Sequence, residues 1–151
     1  MSRQARSSRS SLDGDGPKVL RIGVMQGARI IEERIIRRRE SVSVGQSARS
    51  TFILAHPLLP AHHVLFESDR TGYTLNARPF MSGRFTTHSG AVRLEGETRH
   101  VPLDDASRGK IVYGDVTVLF QFVAPPPVQT RPQLPSSVKG AWRHEASALL
   151  G

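Results

Sequence analysis

The stretch "ARIIEERIIRRRESVSVG", residues 28–45, decides the fold class, because its first half can be interpreted as a helix or as a strand. Ile31 and Ile35 lie four residues apart, which is the spacing of one face of a helix. In a strand the same two side chains share one face, with Ile30 and Ile36 on the other. The stretch lies between a glycine and the alternating "SVSVG", and isoleucine is β-branched. We therefore predict a strand.

Strand patterns recur on both sides of this stretch. "VLRIGVMQ" (19–26) alternates apolar with other residues, and "VTVLFQFV" (116–123) does the same and is predicted to be a central core strand. Turn residues, among them Ser82–Gly83, separate further short strands: "TFILA", "HVLFES", "GYTLNA", "GRFTT", "AVRLE", "TRHVPL" and "KIVYGD". About ten or eleven short strands at this spacing predict an all-β fold, an antiparallel β-sandwich.

The composition of the chain divides it into four segments. Residues 1–17 are rich in Ser, Arg, Gly and Asp and are predicted to be a disordered tail. Residues 18–123 hold the strand patterns and form the predicted sandwich. Residues 124–138, "APPPVQTRPQLPSSV", predict an extended proline-rich linker, and residues 139–151 a mostly disordered tail.

Several classes of protein are excluded by composition. The 151 residues include no cysteine, which rules out a disulfide framework and thiolate chemistry and fits a reducing compartment. The basic start "MSRQARSSRSS" continues into polar residues, so it does not have the pattern of a secretion signal. No run approaches the ~18 apolar residues of a membrane span, so we expect these residues to be soluble.

The net charge of +8 is spread along the chain. A dispersed excess favours a solvated surface, but a basic β-domain that binds nucleic acid or anionic lipid remains the alternative, with nucleic acid the less expected partner. "RRRE" at 37–40 allows the same two interpretations, an anion-binding patch or a solvated strand end, and we favour the second.

The histidines and acids do not form a recognisable reactive set. His62 and His63 are neighbours on a predicted strand and point to opposite faces, so we expect one to be partly buried and the other exposed. We interpret both, and His56, as structural residues and not as metal ligands. The chain has no nucleophile elbow, HExxH or P-loop pattern. We predict no catalytic residue, no metal site and no cofactor.

Three motifs resemble those of the forkhead-associated (FHA) domain family, whose β-sandwich binds phosphothreonine peptides through strand-connecting loops. "VSVGQS" resembles the family's Gly-Arg-Ser element, with Gly45 and Ser47 kept and Gln46 in place of the arginine. "LPAHHVLFE" resembles the Ser-x-x-His element, with His63 kept and Pro60 in place of the serine.

The third motif, "FMSGRF", resembles the family's Asn-Gly element, with Gly83 kept and Ser82 in place of asparagine. The resemblance covers about residues 18–123 and implies a protein-interaction module with phosphothreonine binding weakened or lost. It implies that the loops 46–51, 56–63 and 81–84 form the partner surface. The candidate binding residues are Gln46, Ser47, Arg49, Ser50, Thr51, His63, Ser82, Gly83 and Arg84.

The two ends of the predicted sandwich also resemble the cytoplasmic N-terminal region of AgmX/TonB-like proteins of the Glt bacterial gliding-motility complex. The stretches that carry this likeness are "LRIGVMQGARIIEERIIRRRESVSVGQSA" and "GKIVYGDVTVLFQFVAPPP". The likeness implies a cytoplasmic domain of an inner-membrane scaffold, with a membrane span beyond Gly151 and another component of the motility complex as its partner.

Overall fold

The computed structural model describes residues 17–57 and 59–127, and these contain strands but no helix. In chain order the strands are β1 (Val19–Gln26), β2 (Arg29–Ile36), β3 (Val42–Gly45), β4 (Phe52–Ile53), β5 (His63–Ser68), β6 (Tyr73–Ala77), β7 (Ser82–Thr87), β8 (Gly90–Glu95), β9 (Arg99–Pro102), β10 (Arg108–Tyr113) and β11 (Val116–Val123). None of the described residues belongs to a helix that is long and apolar enough to cross a membrane.

The strands pack as two sheets. Sheet A has the spatial order β2-β1-β11-β10-β7-β8, and sheet B has the order β4-β3-β5-β6-β9. Neighbouring strands are antiparallel, except for β3 and β4, which are parallel. The predicted all-β sandwich is therefore confirmed. Most of the predicted tail 1–17, most of the linker 124–138 and all of 139–151 lie outside the described residues.

The ambiguous stretch at 28–40 forms β2, so the strand interpretation is confirmed. β2 pairs with β1 and carries a β-bulge: Val24 is opposite Glu32 and Met25 is opposite Ile30, which leaves Ile31 as the extra residue. Ile31 is exposed, whereas Ile36 is buried in the core.

The core lies between the inner faces of the two sheets, and β11 is central to it, as predicted. Phe120 of β11 is fully buried, with its ring centroid 5.2 Å from that of Phe66 in sheet B and 5.6 Å from that of Phe85 in sheet A. Burying one such side chain stabilises the fold by about 1.5–3 kcal/mol. This aromatic contact joins the two sheets directly.

The predicted turn at Ser82–Gly83 is wrong. The turn lies at 78–81, where the Met81 N–H donates to the Arg78 carbonyl at 3.0 Å, and β7 already begins at Ser82. Gly83 is a paired strand residue, and a Cβ at this position would overlap the carbonyl oxygen of Lys110. The glycine therefore serves the close approach of two strands and not a change of direction.

Of the four edge strands, β2, β4 and β9 are short or irregular, whereas β8 pairs regularly with β7. In sheet A, β2 carries the bulge at Ile31. In sheet B, β4 has only two residues, although the sequence predicted a strand over 51–55, and β9 has four residues and ends at Pro102. Proline has no N–H to donate to a further strand.

The arginine run at 37–39 is built into the fold. Arg39 Nη1 donates to the backbone carbonyls of Asp69 at 3.1 Å and Arg70 at 2.8 Å. Arg37 Nη1 donates to the carbonyl of Pro126 at 3.1 Å. Residues 37–40 are exposed and directly follow β2, as expected of a solvated strand end, but two of the three guanidinium groups also bond to neighbouring segments.

Candidate functional site

Three connections meet at one end of sheet B, and we call them the rim: residues 46–51, the described residues of 54–62, and residues 78–81. β3 ends at this end and β5 begins there, because Val44 pairs with His63. β6 is antiparallel to β5 and therefore ends there as well, at Ala77. The strand directions thus bring together connections that are far apart in the sequence.

Backbone hydrogen bonds tie the first two rim connections to each other. The N–H of Gln46 donates to the Pro60 carbonyl at 3.2 Å, and the N–H of Ser47 donates to the Ala61 carbonyl at 2.8 Å. The side-chain amide of Gln46 adds a third bond, from Nε2 to the Leu59 carbonyl at 2.8 Å. Gln46, which the resemblance puts in the place of a phosphate-binding arginine, uses its amide to fix the neighbouring connection.

Gly45 permits this close contact. A Cβ at Gly45 would overlap the carbonyl oxygen of Ala61 and would stand 2.9 Å from that of Pro60. The Gly45 carbonyl also accepts a bond from the Leu54 N–H at 2.8 Å. The small residue that resembles the FHA motif is therefore required by packing at the base of the rim.

Two further candidate residues are bonded within the rim. Ser50 is buried, and its Oγ donates to the Ala61 carbonyl at 3.2 Å. Thr51 and Ser43 exchange two bonds: the Ser43 N–H donates to Thr51 Oγ1 at 3.0 Å, and the Thr51 N–H donates to Ser43 Oγ at 2.9 Å. These hydroxyls stabilise the 46–51 connection.

His63 is buried and His62 is exposed, so one of the two is buried and the other exposed, as predicted, although His62 lies just before β5 and not in it. Nε2 of His63 lies 2.9 Å from the Asn76 carbonyl oxygen, and since a carbonyl only accepts, Nε2 carries the proton. The ring also contacts Phe80 edge to face, at 5.8 Å between centroids. Burial is the main cause that lowers the pKa of His63, and the bond to Asn76 opposes it. The neutral ring joins β5 to β6 and to the 78–81 turn.

The side chains that the rim offers to a partner are mainly basic. Arg49, His62 and Arg78 are exposed, and Ser47 is half-buried with its Oγ accepting from the Arg49 N–H at 3.1 Å. The sequence analysis missed Arg78 because it placed the third connection at 81–84. The Arg78–Pro79 pair was the available signal, since proline marks turns.

Ser82, Gly83 and Arg84 do not form a rim loop. Ser82 is the exposed first residue of β7, and Gly83 is packed between its neighbouring strands. Arg84 lies opposite Lys110 and Arg93 on the outer face of sheet A. Of the three, only Ser82 borders the 78–81 turn, so the expectation that 81–84 is a rim loop is wrong.

One group among the described residues brings three metal-type donors together: His88, Asp104 and Asp105, whose ligand atoms lie within 4.8 Å of one another. The Asp104 oxygens already accept bonds, Oδ2 from the His88 N–H at 2.9 Å and Oδ1 from the Ala106 N–H at 3.0 Å. These bonds account for the group as a hydrogen-bonded surface turn.

Comparisons with known proteins found no matching family model and no matching curated protein. Among solved structures, the chain is similar to the NMR structure of the yeast Dun1 FHA domain in complex with a doubly phosphorylated peptide derived from Rad53 SCD1. The identity is 18%, the TM-score is 0.39, and the alignment covers 80% of this chain and 86% of that one. A likeness this distant assigns no role to any residue.

Proposed function

We propose that the chain is an FHA-like, non-enzymatic interaction module whose rim binds a protein partner, and that recognition of phosphothreonine is weakened or lost. One observation carries this proposal: the Gln46 amide, at the motif's arginine position, donates to the Leu59 carbonyl at 2.8 Å. An amide used in this way supplies no charge to a phosphate group.

The expected loss of phosphate affinity is large. A hydrogen bond to a charged group contributes about 1.5–3 kcal/mol, and two such donors are replaced, at Gln46 and Pro60. Their combined loss of about 3–6 kcal/mol corresponds to roughly 10²–10⁴-fold in affinity. The rim nevertheless keeps exposed cations at Arg49 and Arg78, which suit an acidic partner surface without requiring a phosphate.

Phosphate recognition is tested by titrating phosphothreonine peptides and their unphosphorylated counterparts while the backbone amides are followed by NMR. We expect no saturable, phosphate-dependent shift at Gln46, Ser47 or Ser82. The double variant Gln46→Arg with Pro60→Ser should gain such binding. Ala48→Arg with Pro60→Ser is the matched control, because it adds the same charge at an exposed neighbouring position. Strong phosphate-dependent shifts in the unaltered chain would refute the weakened-site proposal.

The use of the rim for a protein partner needs a separate experiment. A photocrosslinking residue at Arg49 or Arg78 should capture a defined partner in cells, whereas the same residue at Thr74, on the outer face of sheet B, should not. Equal capture from all three positions would contradict a specific rim interface.

The finer proposal is that this module belongs to a membrane-tethered envelope complex such as the gliding-motility machinery, and acts there from the cytoplasm. Its support is the sequence likeness of residues 20–48 and 109–127 to that group of proteins. It predicts a run of about 20 apolar residues after Gly151 in the full-length protein, and a motility component as the crosslinked partner. A polar domain directly after Gly151 would contradict it.

A further inference from the structure

Three cationic side chains stand in one row across sheet A. Lys110 of β10 is directly opposite Arg84 of β7, and Arg84 is directly opposite Arg93 of β8. Directly opposed residues of antiparallel strands share a face, with Cβ atoms about 4.5–5.5 Å apart. Arg108, two residues before Lys110, lies on the same face opposite Thr86. We call Arg84, Arg93, Arg108 and Lys110 the basic face.

This face points away from the core. The residues that alternate with it, Phe85, Leu94 and Ile111, are buried between the sheets, whereas Arg84, Arg93 and Arg108 are exposed and Lys110 is half-buried. The basic face therefore belongs to the outer surface of sheet A, apart from the rim on sheet B.

The arrangement costs stability in the isolated protein, because like charges directly opposed across strands repel. The pKa of Lys110 is lowered, first by burial and then by the positive charge of Arg84. Glu95 offsets part of the positive charge, because its Oε2 lies 3.6 Å from Nη1 of Arg93. Elsewhere on the outer surface of sheet A, Oε2 of Glu33 lies 3.9 Å from Nη2 of Arg21. An anionic surface laid against the face would bring opposite charge close to Arg93, Arg108 and Lys110.

The shape of the face selects among anionic partners. Strands about 4.8 Å apart place the four cations close together on one face of the sheet. The aromatic rings of Phe66, Phe85 and Phe120 pack against one another inside the sandwich, so they offer no stacking platform for nucleic-acid bases. A bilayer that contains anionic lipid presents many negative headgroups side by side, so it can meet several cations of one sheet face at once.

We propose that the outer face of sheet A docks on the surface of an anionic lipid bilayer through Arg84, Arg93, Arg108 and Lys110. The docking is electrostatic and peripheral, since the charged ends and not apolar side chains meet the headgroups. The proposal depends on neither the rim nor the expected span beyond Gly151.

The test is co-sedimentation of the 151-residue chain with vesicles of phosphatidylcholine alone or with about 30% phosphatidylserine, at about 50 mM and 300 mM salt. Binding should require phosphatidylserine and should fall at the higher salt. Each basic residue near such a surface contributes about fivefold in binding, so Arg84→Gln with Arg93→Gln should lower it roughly 25-fold.

The matched control is Arg38→Gln with Arg70→Gln, which removes the same charge from exposed positions off the basic face and should change binding less than threefold. Thermal melts verify that both double variants fold. Three outcomes would each overturn the proposal: no preference for phosphatidylserine, an equal loss in both double variants, or tighter binding to duplex DNA, single-stranded RNA or polyglutamate than to the vesicles at equal salt. If crosslinking from the rim captures no partner, the vesicle result still stands. If the vesicles are not bound, the proposal for the rim still stands.

Discussion

Replacing Tyr113 by phenylalanine should stabilise the protein. Tyr113 is fully buried at the end of β10, and its hydroxyl has no hydrogen-bond partner among residues 17–57 and 59–127. Burial raises the pKa of this phenol well above its usual range. A buried hydroxyl without a partner costs about 1–3 kcal/mol, and phenylalanine removes that cost while keeping the ring against Phe80, at 6.3 Å between centroids. After a small loss for the space left by the oxygen, we expect a net gain of about 1–2 kcal/mol.

Tyr73 is the matched control, because it is the other tyrosine of the chain and is also buried. Its hydroxyl accepts a bond from the Glu40 N–H at 3.2 Å. Tyr73→Phe removes that acceptor and should destabilise the fold by about 0.5–1.5 kcal/mol. The two substitutions are chemically identical and should change stability in opposite directions.

Urea unfolding, followed by far-UV circular dichroism, gives both changes in the free energy of unfolding. They are read from the transition midpoints, provided that the denaturant slopes (m-values) of the variants agree. A gain of 1–2 kcal/mol should also raise the melting temperature by roughly 4–15 °C in a domain of this size. If Tyr113→Phe destabilises the protein by about 1 kcal/mol or more, its hydroxyl makes a bond that the structure does not show, and the reasoning is refuted.

Three further substitutions test the rim by the same unfolding measurements. Gly45 and Gly72 have similar positive φ values, 159° and 157°, so alanine is strained at both positions, but only the Cβ at position 45 would overlap a backbone carbonyl. Gly45→Ala should therefore cost about 1–3 kcal/mol more than Gly72→Ala, and equal effects would contradict the packing argument. Thr51→Val should cost about 1–2 kcal/mol because the Ser43 N–H loses its acceptor, and an unchanged midpoint would show that this bond is dispensable. Burial lowers the pKa of His63 from its usual 6.5, so the unfolded chain binds the proton more readily than the folded protein. The stability that the neutral ring contributes is therefore complete above about pH 6.5. It is lost as the pH falls through the lower pKa of the folded state. His63→Gln should flatten the fall in melting temperature between about pH 7 and pH 5, and an unchanged pH profile would count against this role.

The strands were predictable because their signals are local. Period-two alternation in β1 and β11 marks the residues that enter the core, although Met25 and Leu119 on the opposite face are buried as well. The β-branched residues of β2 favour a strand despite their helical spacing. The same alternation predicted that one of His62 and His63 would be buried and the other exposed, but not which one. None of these features requires knowledge of which strands are neighbours.

The wrong predictions concern residues whose role is set by contacts with parts of the chain that are distant in sequence. Gly83 was interpreted as a turn residue, since a sequence does not distinguish a glycine that bends the chain from one that admits a neighbouring strand. The row of Arg84, Arg93 and Lys110 depends on the pairing of β7 with both β8 and β10, which no local pattern encodes. For the same reason, the bond between the Gln46 amide and the Leu59 carbonyl was not foreseen.

The bulge at Ile31 in β2 has a consequence for crowding. A straight, unpaired border strand is a template on which another chain can add in register and begin fibrous aggregation. The extra residue interrupts the regular spacing of N–H and C=O groups along β2, the edge strand of sheet A. In β9, the edge strand of sheet B, Pro102 has no N–H to donate. Both features oppose the addition of a further strand at β2 and β9, so copies held side by side at high local density are less able to join into continuous sheets through those two borders.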